Sequence, residues 1–148
     1  MIEFEVPGVY PKGRHRTTKA GHTYTPTPTR NAEALVRMAA AEAVGNGCPM
    51  EGPIACTVIA HLPIPRSWSK RRQTMAADGV ILPDKRPDLD NLVKLITDGA
   101  NGIAYVDDKQ ICAINALKIY DPKPRTHVRL RLMDGSADFE MEGEGWDS

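Results

Sequence analysis

Ile2, Phe4 and Val6 alternate with Glu3 and Glu5. A period of two predicts a half-buried strand, which Pro7-Gly8 ends. Residues 11–30 follow as a long polar loop, a length that in a compact domain points to function or disorder. Residues 31–44 are Ala-rich and predict a helix, with Leu35, Met38 and Ala39 as its inward stripe and Gly45 as its stop. From Pro53 to Pro63 a second strand places Ile54, Cys56, Val58, Ala60 and Leu62 on one face and His61, read as structural, on the other. Residues 73–85 carry no period and read as irregular. Leu89, Leu92, Val93 and Ile96 then fall at i, i+3, i+4 and i+7, one buried helical face. Pro87 keeps Arg86 out of the helical region, Asp88 sits where an N-cap belongs, and Asn101-Gly102 supplies the stop. The apolar run 110–120 predicts a strand buried on both faces. A last strand follows Pro124, with Val128, Leu130 and Leu132 inward and Arg125, His127, Arg129 and Arg131 outward. The order strand–helix–strand–helix–strand–strand predicts an α+β fold, a small mixed sheet of about four strands with two main helices on one face.

Composition adds bounds. A chain of 148 residues, 41% hydrophobic and 26% charged, suffices for one globular domain with its own core, assigned to residues 1–133. There is no 18-residue apolar run, so no membrane span or membrane partner is expected. The opening MIEFEVPG has acids where a signal peptide needs bases. Cys48, Cys56 and Cys112 form no CxxC pair, which argues against a zinc knuckle or disulfide framework and for a reducing cytoplasm. Net charge is zero, yet residues 134–148 hold six acids and no base. The body therefore carries about +6, which suits a polyanionic partner, while the acidic tail without apolar pattern is expected to be mobile.

Two acid pairs, Asp88/Asp90 and Asp107/Asp108, flank the helix that begins near residue 88. Residues two apart point about 200° from each other on a helix but the same way on an extended segment. Asp88 and Asp90 can share a ligand only where the helix boundary falls between them, and Pro87 favours that boundary. Carboxylates so placed suit a hard divalent cation such as Mg²⁺. The bland alternative makes Asp88 a cap, Asp90 a dipole partner and Asp107-Asp108 a polar turn. Asp90, Lys94 and Asp98 are spaced by four along the polar face. An EF-hand is excluded, since Leu92 and Val93 stand where a ligand and a glycine are needed. Walker, GxGxxG and GxSxG motifs are absent. Bases at Lys12, Arg14 and Arg16, and at Lys70, Arg71 and Arg72 beside Trp68, are candidate phosphate contacts, with Trp68 a candidate base-stacking group.

The segment Arg86-Pro-Asp88-Leu-Asp90-Asn91-Leu-Val-Lys94, then Asp98, then Tyr105-Val-Asp107-Asp108-Lys-Gln110, resembles the RusA family of Holliday-junction resolvases, small bacterial and phage endonucleases. Thr23-Tyr24-Thr25-Pro26 before a helix is similar to phage-type members. The resemblance covers most of residues 2–120. It implies Mg²⁺-dependent cleavage of four-way DNA junctions by a homodimer in the bacterial cytoplasm, with Mn²⁺ as a substitute. By motif position it assigns Asp88, Asp90 and Asp108 as catalytic metal ligands, Lys94 as the essential lysine and Asp107 as an additional acid. Cleavage of flaps or forks, or DNA binding without catalysis, are the alternative readings.

Overall fold

A computed structural model describes residues 1–13, 16–24 and 27–135 of the chain. The elements run β1 (Ile2–Pro7), β2 (Arg16–Thr17), β3 (Thr23–Tyr24), α1 (Thr27–Val44), β4 (Ile54–Pro63), α2 (Lys70–Ala77), α3 (Leu89–Ala100), β5 (Ile111–Asp121) and β6 (Arg125–Leu132), with a 3₁₀ turn at Asp108–Gln110. The strands β1, β6, β4 and β5 form a four-stranded sheet in that order. β6 is antiparallel to both β1 and β4, whereas β4 and β5 are parallel. A parallel pair needs a crossover, and the chain makes it through α2 and α3. The fold is thus α+β with a mixed sheet, as the element order predicts.

The strand periods are realised. Phe4 and Val6 are buried on β1, and all five inward positions of β4 are buried. Phe4, Val6, Ile54, Cys56 and Val58 pack with Val128 and Leu130 of β6 and with Val36, Leu95, Ile96 and Tyr105 from the helical side. Burial pushes the Cys56 thiol up to about 12, which leaves it an inert core group. On the other face of β4, His61 Nδ1 lies 3.3 Å from Asp121 Oδ2 without the alignment of a hydrogen bond. Burial lowers the His61 pKa, Arg125 adds to that, and Asp121 opposes it.

Five expectations are corrected. Helix α1 begins at Thr27 rather than at residue 31, because Pro28 is tolerated in a first turn. Its inward stripe is Ala32, Val36 and Ala40, with Leu35 and Ala39 flanking it and Met38 69% exposed. Small residues win because α3 comes very close: a Cβ on Gly99 would meet Val36 Cβ at 2.7 Å. The polar loop 11–30 is partly ordered by the β2–β3 hairpin. The segment 73–85 is helical to Ala77, since Ser69 Oγ accepts from Arg72 N and caps α2. Finally, β5 is not buried on both faces. It is an edge strand, with Ile114 50% and Leu117 36% exposed.

The basic face of β6 is also balanced rather than open. Glu3 pairs across from Arg129, and Glu5 across from His127, with His127 Nε2 2.7 Å from Glu3 Oε1. Among the described residues no helix is long and apolar enough to cross a membrane. Arg14, Thr25, Pro26 and residues 136–148 of the tail lie outside the described residues.

Candidate active site

Helix α3 cannot extend back through Pro87, because the residue before a proline is forced out of the helical region. Asp88 is extended (φ −69°, ψ 136°) and Leu89 is the first helical residue. The boundary therefore falls between Asp88 and Asp90, the condition their spacing set for a shared ligand. Asp88 holds the N-cap position, yet its side chain makes no capping hydrogen bond. A cap aspartate ordinarily accepts from an N–H of the first turn, so this exposed carboxylate is spare. Asp90, one residue into the helix, is exposed and accepts from its neighbour Asn91 N at 2.9 Å. The positive end of α3 favours a negative charge here.

The second acid pair is built differently. Tyr105 is fully buried, and its hydroxyl donates to Thr97 O in the last turn of α3 at 2.5 Å. This fixes the chain just before Asp107. Asp107 then closes a capping box: Lys109 N donates to its Oδ1 at 2.9 Å, and Asp107 N donates to Gln110 Oε1 at 2.9 Å. The Gln110 amide nitrogen in turn donates to Met50 O and Gly52 O, at 2.9 and 3.0 Å. The Lys109 N–H holds the Asp107 carboxyl below its ordinary range, with a lesser contribution from Asp108. Asp107 is therefore the structural member of the pair, and Asp108, first residue of the 3₁₀ turn, is the one with no capping duty. The bland reading holds for Asp107 and fails for Asp88.

Two lysines converge on Asp98. Lys94 Nζ lies 3.3 Å from Asp98 Oδ1, while Lys12 Nζ donates to Asp98 Oδ2 and lies 3.4 Å from Glu33 Oε1. Burial works to lower the Lys12 pKa, but Asp98 and Glu33 outweigh it and the net shift is upward. Lys12 side chain is only 17% exposed, whereas Lys94 is 58% exposed. Lys12 is thus bound into the fold, with its backbone N donating to Asn91 O at 3.1 Å. Lys94, paired with Asp98 as well, is the exposed one of the two. Lys12, Arg86, Pro87, Asp88 and Asn91 line one groove of about 490 Å³.

Asp88, Asp90 and Asp108 offer the oxygen donors a hard cation takes. Among the described residues, however, no three His, Cys, Asp or Glu side chains gather closely enough to hold a metal ion. The carboxylates of one chain fit a divalent ion in chemistry and not as a finished cage.

Of the other basic candidates, Arg72 stacks over the Trp68 ring at 4.0 Å, and Trp68 packs edge-on against Tyr120 at 5.3 Å. Trp68 thus has ring neighbours on both α2 and β5. Lys70 and Arg71 are exposed on α2, and Arg16 lies in the β2–β3 hairpin. Tyr105 and Gln110, which the motif contains without a role read from it, and Lys118, outside the motif, also build the site. For Gln110 a signal existed, since Asp107-x-x-Gln110 is a capping-box spacing.

The family described as endodeoxyribonuclease RusA has a model that matches residues 7–131. The uncharacterized protein YqaN of Bacillus subtilis (strain 168) is 35% identical over 82 residues. That alignment covers 54% of this chain and 58% of YqaN, so the chain spans little more than half the length of that relative.

Proposed function

The chain belongs to the RusA family of endodeoxyribonucleases, and on that premise we propose that it is a magnesium-dependent endonuclease resolving four-way DNA junctions by paired symmetric cleavage in recombination and repair. The observation that carries this reading is the uncapped Asp88 carboxylate, spare at the start of α3 and lining a groove with Arg86 and Lys12.

A phosphodiester repels nucleophiles through its own charge. When bound, a divalent cation neutralises that charge and lowers the pKa of a water; Mg²⁺ is proposed here, with Mn²⁺ as its substitute. Asp88, Asp90 and Asp108 supply donor oxygens of the right kind, from the start of α3 and the start of β5. Lys94, exposed and paired with Asp98, stabilises charge developing on phosphate oxygens. The basic surface outside this centre contributes the salt-sensitive part of DNA affinity. One site per chain and two cuts per junction call for a two-fold homodimer. A bacterial or phage-encoded protein of the bacterial cytoplasm completes the reading.

One observation favours a second reading, DNA binding without cleavage: among the described residues three acids do not gather into an ion-holding set. The purified chain, mixed with end-labelled four-way junction, flap and linear duplex, with and without Mg²⁺ or Mn²⁺, separates the two. Metal-dependent, symmetrically placed nicks in the junction are expected. Salt-sensitive binding with no product under either metal would establish the second reading, and equal cutting of flaps would broaden the substrate to branched DNA.

A further inference from the structure

Residues 78–88 carry the chain from α2 to α3 outside helix and sheet, and the last of them has to present Asp88. Lys118, on β5, reaches this loop from below. Its neighbour across the parallel pair is Ala60, which faces the core, so Lys118 rises on the helix-covered side of the sheet. There Lys118 Nζ donates to Lys85 O at 2.8 Å and to Pro87 O at 3.1 Å. Among the described residues, these two bonds tie residues 82–87 to the sheet.

The second bond matters for the site. The Pro87 carbonyl and the Asp88 N and Cα lie in one planar peptide unit. Holding that oxygen therefore holds the plane from which the Asp88 side chain departs. The other side of Asp88 is held by the helix, where Leu92 N donates to Asp88 O at 3.2 Å. The residue is fixed on both sides while its carboxylate stays uncapped. An ammonium group suits this task. It has three donors and no acceptor, and its bonds to carbonyls are charge-assisted, so one side chain can clamp two oxygens of one loop.

We propose that Lys118 is a positioning residue for Asp88, an ammonium on the sheet edge that sets the direction in which the carboxylate leaves α3. The role rests on the nuclease reading above. Lys118 touches neither substrate nor reacting atoms; it acts through the Pro87–Asp88 peptide.

The test compares Lys118→Met, Lys118→Gln, Lys118→Arg, Asp88→Asn and the double variant Lys118→Met/Asp88→Asn. It reads kcat and KM on a labelled four-way junction with Mg²⁺, and hydrogen exchange of the amides in residues 84–90. Displacement of a reacting group by about 1 Å costs on the order of 100-fold. Lys118→Met is therefore expected to lower kcat about 100-fold with KM unchanged, and to raise exchange in 84–90. Lys118→Arg, which keeps donors, recovers most of the rate, and Lys118→Gln falls between. In the Asp88→Asn background the loss of Lys118 costs nothing more, because its effect runs through Asp88. Should Lys118→Met not fold, the graded pair Gln and Arg carries the same comparison. Wild-type kcat in Lys118→Met, unchanged exchange, or an equal loss in both backgrounds overturns the proposal. A rise in KM alone also overturns it and makes Lys118 a DNA contact. A wild-type chain that cuts no junction overturns the nuclease reading and with it this role, whereas the exchange data judge the clamp separately.

Discussion

Tyr105→Phe removes one oxygen atom from the centre of the fold and tests how the second acid pair is held. The hydroxyl donates to Thr97 O at 2.5 Å, deep in a core where Tyr105 is fully buried. The donor that Thr97 O would receive from its own helix is Asn101 N, but Asn101 N donates instead to Asp98 O at 3.4 Å. The tyrosine thus closes the end of α3. Replacing it by phenylalanine keeps the ring and its packing and leaves a buried carbonyl without its partner, which costs about 1–3 kcal/mol. For a domain of this size each kcal/mol moves the melting midpoint by roughly 2–4 °C, so a fall of about 2–12 °C is expected. Differential scanning calorimetry reads it directly. The pH dependence has a definite sign: burial raises the Tyr105 pKa, so its contribution is complete below the unfolded tyrosine value near 10 and is lost as pH rises through the folded value. A Tyr105→Phe protein melting within about 1 °C of wild type, below the expected range, would refute the reasoning.

Gly99→Ala places a Cβ 2.7 Å from Val36 Cβ and Cγ1. Overpacking of about 1–3 kcal/mol against a helix-propensity gain of about 1 kcal/mol predicts a net loss of up to about 2 kcal/mol in urea denaturation, and a stabilised variant would contradict the close packing of α1 on α3. His61 has its pKa lowered, chiefly by burial. The stability it lends as a neutral ring is present above the unfolded value of about 6.5 and is lost as pH falls through the lower folded value. The stability gap between wild type and His61→Gln should therefore shrink between pH 8 and pH 5, and a constant gap would contradict it. Removing residues 134–148 takes away six acids and no base. If the tail competes with DNA for the basic body, the truncated chain binds a four-way junction more tightly at low salt, and an unchanged Kd dismisses the competition.

Much of the fold was legible because it rests on period and punctuation. Phe4 and Val6, the inward row of β4 and the start of α3 at Pro87 all follow from side-chain alternation or backbone sterics. What escaped depends on tertiary neighbours. The stripe Ala32–Val36–Ala40 is chosen by the approach of Gly99, which no local reading of α1 contains. The edge position of β5 is set by strand order, so an apolar run reads as buried when its residues are half-buried or exposed. Helix α2 has little apolar face to announce it, only the Ser69 cap. At the site, the division of labour within Asp107-Asp108 turns on Gln110, and the orientation of Asp88 on Lys118, which in sequence is one polar residue within an apolar strand. The acids themselves stood out because four of them flank one helix.

The acid site is tested most directly by comparing wild type with Asp90→Asn on a labelled four-way junction in Mg²⁺, with binding and cleavage followed in the same samples. The isosteric change keeps the start of α3 and removes one charge. Unimpaired binding together with loss of both symmetric cuts is the predicted result. Cleavage by Asp90→Asn at the wild-type rate would contradict the account.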